Sequence, residues 1–222
     1  MIPLKDDNPT YSYPYVTVGL IVINVLIFLF QLLLGPERFA IFVLITGAIP
    51  YEIVNLVDIY PKDLVPPPFT LLTAMFVHGG LFHLAGNMLY LWIFGDNIED
   101  RLGHFRFLIF YLFTGVMASL AHILINPAST VPMIGASGAI AGVLGAYFVL
   151  FPRAGVITLL WFFFFIEIVR IPAVVFLGMW FAFQLLSSGL GGGIAWYAHI
   201  GGFIAGAAVI MIAKPRRRKR SF

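Results

Sequence analysis

Cysteine is absent from the 222 residues, which excludes disulfides, thiolate nucleophiles and cysteine-ligated metals. Charge is scarce too: Asp, Glu, Lys and Arg make up 10% of the chain, where a soluble domain carries about 25%. What fills the space is apolar, at 61% of residues. Such a chain is expected to be an all-α membrane protein, with no room for a second sizeable domain. Signal-peptide features are lacking near the start. Asp6 and Asp7 stand where a basic cluster belongs, and no small-residue cleavage site follows the first apolar run, so that run is expected to stay as a helix. No internal repeat is visible, which removes the usual sequence support for an inverted-repeat transporter.

Six apolar runs read as spans: Tyr15–Leu34, Leu81–Ile98, Phe105–Ile125, Gly135–Phe151, Pro172–Leu186 and Ala198–Ala213. Residues 155–171, "GVITLLWFFFFIEIVRI", are also apolar, but Glu167 and Arg170 truncate the run. They are expected to lie in the interface or to extend the fifth helix. The chain then divides into a cytoplasmic segment 1–14, a membrane domain 15–213 with a long outer loop 35–70, and a basic cytoplasmic tail 214–222. The loop's short apolar pieces are expected to lie in the interface or against the bundle. Placing both termini inside collects Lys5, Arg101, Arg106, Arg153, Arg170 and the tail residues Lys214, Arg216, Arg217, Arg218, Lys219 and Arg220 on that side. Only Arg38 and Lys62 fall outside, a distribution that satisfies the positive-inside rule. A tail "KPRRRKR" directly after an apolar helix points to anionic lipid rather than nucleic acid.

Polar groups in hydrocarbon are costly and mark function. Ser137 opens the fourth span, His199 opens the sixth, and His83 and Asn87 lie near the start of the second. In the orientation above all three helices run inward, so these starts share one outer level. A serine hydroxyl becomes a nucleophile when a histidine takes its proton. His83 and Asn87, four residues apart, share a helix face and carry N–H donors suited to an oxyanion. Ser137 at a helix start adds its unpaired backbone N–H. With no acidic residue at that level, a Ser-His dyad is expected. In "GASGAIAGVLGA", Gly138, Gly142 and Ala146 recur every fourth residue, as do Gly202 and Gly206 in "HIGGFIAG". Such small-residue faces let helix backbones approach closely, as contact between Ser137 and His199 requires. Singly, each feature has a plainer reading: a serine on a packing face, a satisfied interior histidine, a glycine seam. Their coincidence at one depth favours catalysis.

The motifs "HGGLFHLAGNM" (78–88), "GDNIEDRLGHFRFLIFYLFTG" (95–115), "GASGAIAG" (135–142) and "AHIGGFIAG" (198–206), in that order, resemble the rhomboid family of intramembrane serine proteases over about residues 70–213. The resemblance implies a six-helix bundle in which Ser137 is the nucleophile and His199 the general base, with His83 and Asn87 lining the oxyanion hole. It implies a structural role for Gly135 in the serine motif and for Glu99 and Arg101 in "EDRLG". His78 matches an upstream histidine that packs the outer loop. His78 and His83 lack a third ligand, so no metal is expected, and no cofactor is implied. The implied partners are the lipid bilayer and single-span or other membrane-protein substrates, cut near the outer end of a helix that must locally unwind. The implied location is the plasma (inner) membrane, multi-pass, with both termini cytoplasmic and the active site open to the outer face. A catalytically inactive member that binds membrane clients is the alternative. Two departures stand out. "PPPFTLLTAMF" replaces a Trp-Arg pair common in the first outer loop. Ala141 occupies the place of a tyrosine that supports the base in some bacterial members, leaving Tyr197 or Trp196 as substitutes.

Overall fold

The computed structural model describes residues 1–60, 64–162, 164–188 and 195–213. Lys62 and the basic tail, on which part of the orientation argument rests, lie outside the described residues. A strand β1 (Ile2–Asp6) leads into helix α1 (Tyr15–Leu33). Two shorter helices follow, α2 (Gly35–Thr46) and α3 (Pro50–Asn55), each with proline in its first turn, where the missing N–H costs nothing. Residues 67–76 form a succession of tight turns around α4 (Thr70–Thr73). The remaining helices are α5 (Leu81–Leu102), α6 (His104–Ile125), α7 (Ser137–Leu150), α8 (Ala173–Ser187) and α9 (Trp196–Ala213).

Among the described residues, α1, α6 and α9 are long and apolar enough to cross a bilayer. A fourth candidate joins residues 67–76 to α5 across an 82° bend. The helices α7 and α8 have 14 and 15 residues. At about 1.5 Å per residue they fall short of a hydrocarbon layer about 30 Å thick.

The expectation of an all-α chain is corrected by a three-stranded antiparallel sheet in the order β1-β2-β3. Residues 155–171, expected in the interface or as an extension of the fifth helix, do not lengthen α8. They form β2 (Gly155–Phe162) and β3 (Phe165–Pro172), paired from Gly155↔Pro172 to Phe162↔Phe165. Valine, isoleucine, threonine and aromatic residues favour a pleated surface over a helix, and prolines bracket the pair at 152 and 172. Within residues 1–14, β1 adds to the hairpin beside β2. Asp7 fastens this edge: its carboxylate accepts the Gly155 N–H at 2.6 Å and the Arg170 guanidinium at 2.6 Å. These bonds, the Gly155 amide first, hold the Asp7 carboxyl below its ordinary value. The neighbouring Asp6 is driven the other way. Burial pushes its carboxyl up to about 6, although the Tyr147 hydroxyl and the Asn97 amide donate to it.

Helix α1 buries one stripe, Thr17, Leu20, Asn24, Phe28 and Gln31, at helical spacing. Its polar members clip it to the α5 region at both ends. Glu99, fully buried, accepts the N–H groups of Val16 and Thr17 at 2.9 and 2.7 Å and the Thr17 hydroxyl at 2.7 Å. That satisfies N–H groups of the first turn of α1 and places a carboxylate at its positive end. Glu99 also meets His104 Nδ1 at 2.5 Å. At the other end the Gln31 amide binds both backbone groups of His78, donating at 2.8 Å and accepting at 3.2 Å. Arg101 sits over the Phe151 ring, 6.0 Å from its centre. From the end of α5, Glu99 thus hydrogen-bonds the start of α1 and His104, and Arg101 meets the ring that follows α7.

The core lies where α6, α7 and α9 pack mutually, with α7 and α9 in the closest contact. A β-carbon added to Gly202 would overlap the Gly138 carbonyl, one on Gly206 the Gly142 carbonyl, and one on Gly145 the Phe203 carbonyl. The same α7 glycines serve a second neighbour: β-carbons on Gly138 and Gly142 would run into Ala118 and Thr114 of α6. Glycine is required at these positions because α7 touches helix backbones and side chains on two sides at once.

Candidate active site

Ser137 is the first residue of α7, so its backbone N–H belongs to the group with no acceptor inside the helix. His199 lies in the first turn of α9. The close seam between these helices brings His199 Nε2 to 2.8 Å from Ser137 Oγ. The pair sits on the wall of a cavity of about 970 Å³ that is also lined by His83, Asn87, His122 and Trp180.

His83 and Asn87 reach the same place from α5. The Gly79 N–H donates to His83 Nδ1 at 3.3 Å, which leaves the hydrogen of a neutral ring on Nε2. That nitrogen faces Gly135, two residues before the serine. A β-carbon built on Gly135 would lie 2.7 Å from His83 Nε2 and 3.6 Å from Asn87 Nδ2. Gly135 also has φ +118°, in the region that L side chains avoid, and its N–H is tied to the Ala74 carbonyl at 2.8 Å. Glycine here both permits the turn into α7 and keeps the two donors clear of side chain.

Three contacts were not read from the sequence. Gln184 of α8, 3% exposed, places Oε1 at 2.8 Å from His199 Nδ1, so the Ser-His pair has a third polar neighbour. The signal was present: a single glutamine in the otherwise apolar "AVVFLGMWFAF" helix, of the kind that hydrocarbon penalises unless it is bonded. His78 does more than pack the loop. It is fully buried, and its Nε2 accepts an Asn87 amide N–H at 2.9 Å, which fixes the carboxamide and leaves its second hydrogen free. Of the two rings expected beside the base, Trp196 lies 6.2 Å from the His199 ring, whereas Tyr197 packs on His122 at 6.3 Å; a ring not expected, Trp180 of α8, lies 6.0 Å from His199. Ala141 is fully buried in the interior of α7. Among the described residues no group of three His, Asp or Glu is arranged to hold a metal.

These features define a class: a helical membrane protein whose apolar bundle encloses a serine and a histidine in hydrogen-bond contact on the wall of a cavity. Comparison with known proteins then gives the family. Residues 67–216 match the Rhomboid domain, and the chain belongs to the rhomboid family. It is 33% identical over 156 residues to "Rhomboid protein 1, mitochondrial" of Saccharomyces cerevisiae, covering 65% of this chain and 42% of that protein. It is 36% identical over 92 residues to "Rhomboid-like protein 11, chloroplastic" of Arabidopsis thaliana, covering 41% of this chain and 32% of that one. It is 46% identical over 76 residues to "Rhomboid protease GluP" of Bacillus subtilis, covering 34% and 14%. The chain spans less than half the length of each of these relatives.

Proposed function

We propose that this protein is an intramembrane serine endopeptidase that cuts membrane-protein helices near one face of the bilayer. The observation that carries the reading is the 2.8 Å contact between Ser137 Oγ and His199 Nε2 on the cavity wall. In the proposed reaction His199 takes the hydroxyl proton as Ser137 attacks the scissile carbonyl, then delivers it to the departing amine. The negative charge on the tetrahedral oxygen is met by His83 Nε2–H, the free Asn87 amide hydrogen and the Ser137 backbone N–H. Hydrolysis of the acyl-enzyme by water from the cavity restores the serine.

The membrane arrangement belongs to the same proposal. Six segments cross, counting α7 and α8, with both termini cytoplasmic in an inner or plasma membrane. If the last turn of α7 lies at the inner boundary, its 14 residues rise about 21 Å. Ser137 then sits about 9 Å below the outer boundary of a layer about 30 Å thick. A short helix thereby puts the nucleophile within reach of outside water and of a helix end. Substrates are single-span or other membrane proteins with small residues at the cut and helix-weakening residues nearby, since a peptide bond within a helix is shielded.

The test is a cleavage assay with purified protein in liposomes against single-span substrates, alongside labelling by a fluorophosphonate probe. Wild type should cleave and label at Ser137, while Ser137→Ala and His199→Ala should do neither and remain folded. Substantial cleavage by Ser137→Ala would remove the serine from the mechanism. A wild-type chain that binds substrates without cleaving or labelling would establish the client-binding alternative instead.

A further inference from the structure

We infer that Gln184 is a positioning residue for His199: it holds the imidazole with its hydrogen on Nδ1, leaving the Nε2 lone pair directed at Ser137. The inference rests on the reading of His199 as general base, and it adds a third member to the pair.

Two bonds fix the chemistry. Gln184 Nε2 donates to the Trp180 carbonyl one turn back, at 3.1 Å. A carbonyl oxygen only accepts, so the amide nitrogen must occupy that side of the group. The amide oxygen is thereby turned to His199 Nδ1, at 2.8 Å. An amide oxygen cannot donate, so the hydrogen in this contact sits on Nδ1. A neutral imidazole has one ring hydrogen. Nε2 is therefore bare, and the hydrogen in its 2.8 Å contact with Ser137 comes from the hydroxyl. When Nε2 takes that proton, the Nδ1–H bond to Gln184 persists and strengthens, because the donor is now charged.

A carboxylate would do the same more strongly, but an unpaired anion in an apolar bundle carries a large desolvation cost. An uncharged carboxamide gives direction without that cost. The other titratable groups on this cavity are His83 and Tyr90 from α5, His122 from α6 and Tyr197 from α9. The residues that α7 and α8 contribute to it, Ser137, Ile140, Leu144 and Trp180, and Ser188 just after α8, bring no further acid or base.

The experiment uses the full chain in detergent or liposomes. Gln184→Leu should lower kcat about 10²-fold, the scale of a misplaced catalytic group, with KM unchanged. Its acid limb of kcat/KM should move to lower pH, because the imidazolium loses its acceptor. Gln184→Glu should move that limb to higher pH, because a carboxylate favours the charged ring. A merely structural glutamine would not move the limb in opposite directions. Independently of proteolysis, ¹⁵N-histidine NMR of Ser137→Ala, with Gln184 intact, should show His199 protonated on Nδ1. Ser137→Ala/Gln184→Leu should show both tautomers. If Gln184→Leu does not fold, Gln184→Glu and the Ser137→Ala spectrum decide. The inference is overturned if Gln184→Glu keeps the wild-type rate and pH limb, or if His199 in Ser137→Ala is protonated on Nε2. Cleavage surviving Ser137→Ala would defeat the protease reading while leaving the tautomer result standing.

Discussion

At the scale of single residues, the proposed oxyanion donors have a distinctive kinetic signature. His83 and Asn87 gain their main interaction only when negative charge appears on the substrate oxygen, so His83→Ala and Asn87→Ala should each lower kcat by about 10²–10³ with little change in KM. A pure KM effect would reassign them to substrate contact. The bond from Asn87 to His78 adds a linked expectation. His78→Ala should lower kcat by less than Asn87→Ala, and combining the two should cost little beyond Asn87→Ala alone, because His78 acts through that amide. Fully additive losses would separate the two residues. Ser137, His199, His83 and Asn87 were legible as polar types inside apolar runs. Gln184 and Gln31 were not, although each is equally anomalous in hydrocarbon. Amides are not reactive groups, so a search for nucleophiles and bases passes over them. Trp180 was hidden for the opposite reason: with 23 phenylalanines and four tryptophans in the chain, one more ring carries no signal until the fold sets it beside His199.

At the scale of elements, the close approach of α7 and α9 was legible because small residues at four-residue spacing make a definite physical demand. Gly202→Val should lower both cleavage and probe labelling about 10²-fold by displacing α9 and with it His199, since even the first added carbon overlaps the Gly138 carbonyl. The contrasting variant is Gly19→Ala in α1, where a β-carbon meets nothing within 4 Å. It should keep wild-type activity, and thermal unfolding in detergent should show no loss of stability. The sheet was not legible. A 17-residue apolar stretch in a membrane chain resembles a helix, and its strand character rests on cross-strand pairing, between its own two halves and with β1 about 150 residues earlier. That contact produces a pH dependence. The docked Asp6 carboxyl titrates at about 6 against an ordinary 3.8, burial being the main cause. The docked strand therefore holds its proton over that interval and the free strand does not, so docking should weaken as pH rises through it. Asp6→Asn keeps an oxygen acceptor for Tyr147 and Asn97 while removing the charge. Hydrogen exchange of residues 2–6 should be slower in Asp6→Asn than in wild type at pH 7.5, and equal below about pH 4. Equal protection at both pH values would show that Asp6 is not charged against the fold.

For the whole molecule, orientation is the property that composition argues and geometry alone does not. The lopsided distribution of lysine and arginine favours termini on the cytoplasmic side, and the short α7 acquires its meaning from that choice. If its far end were outside, the cavity would open to the opposite compartment and the same chemistry would act on the other end of a substrate helix. The absence of cysteine makes the matter directly measurable, since every introduced thiol is the only one present. Lys5 and Arg153 are exposed at the sheet end of the bundle, and Arg38 and Asn55 are exposed on the segment between α1 and α4. In intact cells a membrane-impermeant maleimide should label Arg38→Cys and Asn55→Cys. Lys5→Cys and Arg153→Cys should label only after permeabilisation. Cleavage activity of each variant reports that the fold is kept, because none of the four lines the cavity. Labelling of Lys5→Cys and Arg38→Cys from the same side would mean that α1 does not cross. The reverse pattern, with Lys5→Cys and Arg153→Cys labelled in intact cells, would turn the molecule over and place Ser137 near the inner face.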